Sequence, residues 1–254
     1  MRNNKIPERL SRLKLILKED GLERLIESRV MVLGLGGVGS ACAEALARGG
    51  IGSLILIDGD AIEESNINRQ ALAYYSTIGR VKTDVMEEMI DDINPDCRTF
   101  SQELFLTKDN LATSLSAFPR PDYVIDCIDT VTAKLSVVEW CLNQEIPLLS
   151  AMGAANKLDP TLLKFACIED TIQCPLSKVI RIECRKRGIR KLEVLYSQEV
   201  PFKIDNPQGP SKAQTLGSMS YMPPIMGKML AGKVICRLAG LESFNGIPVK
   251  ESKE

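Results

Sequence analysis

Apolar residues along this chain fall into short runs separated by stretches of helical periodicity, and the two kinds of pattern alternate. Residues 29–33 form a short apolar run. Residues 37–48 follow with a helical stripe that ends at Gly49-Gly50. A second, β-branched run covers 54–57. Helical periodicity over 81–93 stops at Asn94-Pro95, because a residue before proline is pushed out of the helical region. The pattern then predicts strands at 97–100 and 123–128, a helix at 131–143 and a strand at 147–151. Short, wholly apolar strands interleaved with helices imply a parallel sheet buried on both faces. The expected fold is α/β, a Rossmann-like, doubly wound and mainly parallel sheet. Further on, 162–168 and 192–196 read as strands. Residues 175–187 read as a helix closed by Gly188, and 223–241 as a last helix. Three prolines and little periodicity over 199–218 predict a mobile loop. We expect a single domain over 1–254, with a nucleotide-binding core at about 21–151 and a C-terminal α+β elaboration at about 152–241.

Composition narrows the chemistry more than the fold. The 254 residues are 44% hydrophobic, enough for one sizeable core. Net charge is −1, so global charge points to neither nucleic acid nor membrane. The most apolar long stretch, 224–241, is interrupted by Lys228, Lys233 and Arg237, and the first seventeen residues alternate charge with apolar positions. Neither reads as a membrane span or a secretion signal, and a cytoplasmic location is expected. There is no histidine, which removes the commonest general base and zinc ligand. An enzyme built this way must use carboxylates, Arg, Lys, Cys, a metal or backbone donors. The cysteines are Cys42, Cys97, Cys127, Cys141, Cys167, Cys174, Cys184 and Cys236, and none forms a C-x-x-C pair. No zinc site is expected, and scattered thiols suit a reducing compartment.

The candidate site begins between the first strand and the helix that follows it. Gly34, Gly36 and Gly39 make a G-x-G-x-x-G turn with Gly37 inside it, which lets backbone amides approach a phosphate at a helix N-terminus. Asp58 closes the second strand, where such folds place the acid that holds a ribose. To this point an NAD-dependent oxidoreductase remains possible. Asp60, then Asn66, Asn68, Arg69 and Gln70, then Lys82, bring more positive charge than a dinucleotide diphosphate needs. Asp126 and Asp129 end the fourth strand above the same crevice. ATP with Mg²⁺, held by Asp129, fits this set better than NAD. A nucleotide-binding scaffold without activity also stays open.

These residues together resemble the ubiquitin-activating-like adenylyltransferases. The resemblance implies that Asp58 holds the ribose, that Asn68, Arg69 and Lys82 contact phosphates, and that Asp129 binds magnesium. It also implies that an arginine of the segment Arg9-Leu10-Ser11-Arg12, assigned as Arg12, reaches the γ-phosphate across a homodimer. Residues 150–160 (SAMGAANKLDP), 170–176 (DTIQCPL) and the basic stretch 178–191 resemble one branch of that family, the tRNA threonylcarbamoyladenosine dehydratases. The likeness runs from about residue 9 to 241. It implies ATP-driven cyclising dehydration of a tRNA modification through an acyl-adenylate, with Arg12, Arg69, Lys82 and Asp129 as the catalytic set. Lys178, Arg181, Arg185, Lys186, Arg187, Arg190 and Lys191 either hold the tRNA backbone or form a solvated face. A sulfur-handling protein partner is left open. The alternative adenylation, of a ubiquitin-like or sulfur-carrier C-terminus, is disfavoured because that branch carries two C-x-x-C zinc pairs. Cys174 stands where the tRNA branch commonly has Asp before Pro, and a thiol is a weak helix cap. Cys184, among cations, reads either as an activated thiol or as a core residue.

Overall fold

The structure is a computed structural model that describes residues 6–204, 216–242 and 249–250. β2 (Ser53–Asp58) is buried at every position, and β1 (Arg29–Leu33) at all but its first, as strands in the middle of a two-sided sheet must be. With β3 (Arg98–Glu103), β4 (Tyr123–Asp126), β5 (Leu148–Ala151), β6 (Leu163–Cys167) and β8 (Glu193–Ser197) they form a seven-stranded sheet in the order β3-β2-β1-β4-β5-β8-β6. All neighbours are parallel except β6, which runs antiparallel to β8 and supplies the C-terminal elaboration. β1 pairs Val30 with Leu54 on one side and with Tyr123 on the other. Strand order reverses there, so the chain leaves β1 and β4 toward opposite faces of the sheet and a crevice opens beyond their carboxyl ends.

Period-two alternation divides the core. Val30, Val32, Leu54 and Leu56 face α2 (Gly37–Arg48), α3 (Lys82–Ile93) and α7 (Met222–Leu238), together with Leu22 and Leu25 of α1 (Ser11–Glu27). Met31, Leu33, Ile55 and Ile57 face α4 (Leu111–Ser116), α5 (Val131–Gln144) and α6 (Pro175–Lys186). α7 lies against the backbone of α2 because Gly227 carries no side chain; a Cβ there would stand 2.1 Å from the Val38 carbonyl oxygen.

Several boundaries differ from the sequence reading for local reasons. α1 was not expected: its residues carry no clean helical stripe, and the helix breaks at Lys18, where φ is 58°. α4 is short and anchored by Leu111 and Leu115 alone. β3 continues past Phe100 to Glu103 because an edge strand tolerates the polar residues that end the apolar run. β4 ends at Asp126, leaving 127–130 as a loop over the crevice. β7 (Ile189–Arg190) pairs antiparallel with β9 (Val249–Lys250), a ladder too short to leave a pattern. Of the loop expected to be mobile at 199–218, residues 205–215 lie outside the described residues, and its flanks are tied down. The Phe202 N–H donates to the Asn156 carbonyl at 2.8 Å, and the Gly217 N–H to Asn156 Oδ1 at 2.7 Å. Cys174 does cap α6, its Sγ accepting from the Ser177 N–H at 3.5 Å. No helix of the described residues is long and apolar enough to cross a membrane.

Candidate active site

The four glycines of the turn meet three different requirements. Gly34 adopts φ +85°, which a side chain resists, and lies against the Cys127 backbone. Gly39 faces back onto the strand, and a Cβ there would stand 1.7 Å from the Gly34 carbonyl oxygen. It sets helix against sheet and does not line the crevice. A Cβ on Gly37 would meet Pro223 at 2.8 Å, whereas at Gly36 it would meet nothing within 4 Å. Gly36 therefore opens the turn, and the N-terminus of α2, toward empty space.

That space is a cavity of about 1060 Å³ along the carboxyl ends of the strands. It brings together Gly34, Gly36, Gly37, Asp58, Asp60, Asn68, Arg69, Lys82 and Asp129. Arg12 is not among its walls; it is exposed on α1 and makes no ion pair among the described residues. Asp58 is nearly buried and is held by backbone donors, Leu35 N–H at 2.6 Å to Oδ2 and Asp60 N–H at 2.8 Å to Oδ1. One carboxylate thus braces the glycine turn and the loop after β2. Lys82, the first residue of α3, is 4% exposed and donates to Asp60 Oδ2 at 2.7 Å, with Asp58 Oδ1 at 3.7 Å. Arg69 donates to the Ser65 carbonyl at 2.9 Å and Asn68 Oδ1 at 2.8 Å, and Asn68 donates to the Ser218 carbonyl at 3.0 Å. Asp129 is exposed at the start of α5, with the Thr130 hydroxyl 3.4 Å from its Oδ1. Among the described residues no group of three or more His, Cys, Asp or Glu is placed to hold a metal ion.

The sequence reading missed the device beneath this floor. Lys134 and Asp126 are both fully buried and paired at 2.6 Å. The Ser150 hydroxyl donates to the same Asp126 oxygen at 2.6 Å, and Lys134 also reaches Ser150 Oγ and the Ala151 carbonyl. This joins the ends of β4 and β5 to α5 directly under the loop that carries Asp129. The signal was present: Lys134 shares a stripe with Val137, Val138 and Cys141, a lone charge on an apolar face. Lys134→Met should cost about 3–5 kcal/mol, because it strands a buried carboxylate. Urea unfolding checks this, and a variant as stable as wild type would show the pair to be dispensable. Phe105 was also missed; its exposed ring lies over Gly59 on the cavity wall between Leu104 and Leu106.

A model of the ThiF family matches residues 8–250 of the chain. The chain belongs to the ThiF family. Over 255 aligned positions this ThiF-family chain is 39% identical to the tRNA threonylcarbamoyladenosine dehydratase of Bacillus subtilis, an alignment that covers 96% of this chain and 98% of that one. Its fold matches the Escherichia coli tRNA N6-threonylcarbamoyladenosine dehydratase solved with ATP, at a TM-score of 0.81 and 30% identity, over 91% of this chain and 93% of that one. The same protein solved with AMP matches at a TM-score of 0.82 and 30% identity, with the same coverage.

Within this ThiF-family chain the basic stretch is not one face. Arg181 turns inward to the Thr171 carbonyl and hydroxyl at 2.6 and 2.7 Å. Arg187 pairs with Glu183 and, at 3.0 Å, with Glu139, and Lys186 pairs with Glu183 at 2.7 Å. Arg190 is half-buried. Lys178, Arg185 and Lys191 are exposed and make no ion pair among the described residues. Cys184 is a packing residue: it is 1% exposed, and burial pushes its thiol up to about 11. The cavity is also lined by the loop 152–157 and by Cys174, Pro175 and Leu176 at the N-terminus of α6. Lys157 sits there, 2% exposed, donating to the Glu199 carbonyl. Desolvation holds its ammonium below the usual lysine range.

Proposed function

We propose that this chain is a tRNA threonylcarbamoyladenosine dehydratase, using ATP to close a ring on the modification by way of an acyl-adenylate. The observation that carries the reading is the make-up of one cavity. Its walls include the phosphate-type glycine turn with Arg69, Lys82 and Asp129, and also the segments that resemble the dehydratase branch, Met152 to Lys157 and Cys174 to Leu176. Residues of the nucleotide-binding core and of the C-terminal elaboration thus act as one adenylation unit.

The modification bears a free carboxylate, which cannot lose water unaided because hydroxide leaves poorly. In the first step its oxygen attacks the α-phosphate of ATP and pyrophosphate departs. Backbone amides at the start of α2 and the side chains of Asn68 and Arg69 take the phosphates. Lys82 turns to them from Asp60, and Arg12 of a second protomer meets the γ-phosphate. Such chemistry needs positioning and charge neutralisation more than a base, which suits a protein without histidine. Asp129, exposed and lightly engaged, fits a Mg²⁺ ligand that shares its ion with triphosphate oxygens. The ion would neutralise charge on the leaving pyrophosphate. Phe105 offers the adenine a flat apolar surface.

Two measurements test the reading. Conversion of ATP to AMP should depend on tRNA that carries the threonylcarbamoyl group; equal AMP release with unmodified tRNA would contradict it. For the tRNA surface, the structure redirects attention from Arg187 and Lys186, which pair with acids of the chain, to the three exposed cations that make no ion pair among the described residues. Lys178→Glu, Arg185→Glu and Lys191→Glu combined should weaken tRNA binding at least tenfold, spare ATP affinity and flatten the dependence of binding on salt. An unchanged affinity and salt slope would make this a solvated surface.

A further inference from the structure

Resting on the dehydratase reading, we propose that Lys157 is the proton acceptor for ring closure. Once the acyl-adenylate exists, a nitrogen or the carbamoyl oxygen of the same modification attacks the acyl carbon. A new C–N or C–O bond forms, the C–O bond to AMP breaks, and AMP leaves with the electron pair. Whichever atom attacks, the modification sheds one N–H proton, and some group must receive it.

The cavity has few candidates among the described residues. Arg69 does not give up its proton and cannot accept another. Lys82 and Asp60 engage each other, both oxygens of Asp58 already accept backbone N–H groups, and the Glu63 carboxylate caps the helical turn Glu64–Asn66. Asp129 is taken by its assignment to the metal. The Cys127 thiol is pushed far above its ordinary value by burial and by the neighbouring Asp126 carboxylate. Lys157 lines the same cavity from the dehydratase-like loop after β5.

Its surroundings favour a neutral amine. Lys157 is 2% exposed, and its hydrogen-bond acceptor is a main-chain carbonyl, that of Glu199. The Glu199 carboxylate accepts instead from the Leu158 and Asp159 N–H groups at 3.0–3.1 Å. The other titratable group facing Lys157 is the Cys174 thiol, whose sulfur caps α6. Both neighbours favour the ammonium, yet desolvation outweighs them and the pKa falls. A lysine so placed takes up a proton nearer neutral pH than a solvated one does.

The test separates the two half-reactions on modified tRNA. Lys157→Met should keep pyrophosphate–ATP exchange within a few-fold of wild type. Ring closure should slow by about a hundredfold or more, and hydroxylamine should trap the accumulated acyl-adenylate. Lys157→Arg keeps a donor for the Glu199 carbonyl but cannot take the proton, so it should fail in the same way; this variant carries the test if Met disturbs folding. In wild type the closure rate should rise with pH to a plateau as Lys157 becomes neutral, and in Lys157→Arg that rise should be absent. Closure at the wild-type rate in Lys157→Arg, or an equal fall of exchange and closure, would overturn the assignment. Absence of both half-reactions in wild type would overturn the dehydratase reading and this inference with it.

Discussion

Gly36→Val should abolish measurable ATP binding while leaving the fold intact. Gly36 has φ −68°, a backbone conformation open to any residue, and a Cβ there meets no protein atom within 4 Å. The substitution therefore brings neither backbone strain nor a clash in the apo protein. The branches of valine fill the space at the N-terminus of α2 that a phosphate must enter to reach backbone N–H groups. Losing two charge-assisted hydrogen bonds, each worth about 1.5–3 kcal/mol, corresponds to a fall in affinity of about a hundredfold or more. Calorimetric titration and a thermal melt check both halves. Unchanged ATP affinity would remove the glycine turn from the nucleotide site. The same change at Gly37 or Gly39 would be uninformative, because side chains there collide with Pro223 or the Gly34 carbonyl and disturb folding directly.

The second large effect is expected at Asp129. Asp129→Asn alters an exposed side chain at the start of α5, so stability should barely change. An amide holds Mg²⁺ far more weakly than a carboxylate. Losing several kcal/mol of charge stabilisation should cut pyrophosphate–ATP exchange by about two to three orders of magnitude. Wild-type exchange would exclude the metal assignment. The same variant tests whether Arg12 acts across a homodimer. Arg12→Ala retains an intact pocket, and Asp129→Asn retains the arginine. After subunit exchange, random pairing leaves one competent site in each mixed dimer, restoring up to about a quarter of wild-type activity. If exchange is demonstrated and activity stays at zero, Arg12 does not serve the neighbouring site.

What the sequence disclosed and what it hid follow from how each residue is constrained. β1 and α2 were legible to the residue because a wholly apolar strand, a glycine turn and a helix closed by Gly49-Gly50 each leave local marks. The cavity walls were legible for the same reason: Asp58, Arg69, Lys82 and Asp129 follow strand ends or open helices, and the topology brings those ends together. α1 was hidden because it buries only Leu17, Gly21, Leu22 and Leu25, and the break at Lys18 shifts its stripe. The partition of the basic stretch was hidden too. Arg181 and Arg187 look like Lys178 and Arg185 in sequence, but their partners, Thr171 and Glu139, come from other parts of the chain. Lys134 gave a signal as the one charge in an apolar stripe, yet its role depends on Asp126 and Ser150 at two separate strand ends. Lys157 gave no mark of its burial, since its hydrogen-bond acceptor, the Glu199 carbonyl, lies 42 residues along the chain.

The central claim is tested most directly by mass spectrometry of the nucleosides from threonylcarbamoyladenosine-containing tRNA treated with this protein, ATP and Mg²⁺. The account predicts conversion of the modified nucleoside to a product lighter by one water, with one AMP formed per product and none of the product when ATP is omitted. An unchanged nucleoside under conditions where the protein binds both ATP and tRNA would contradict it.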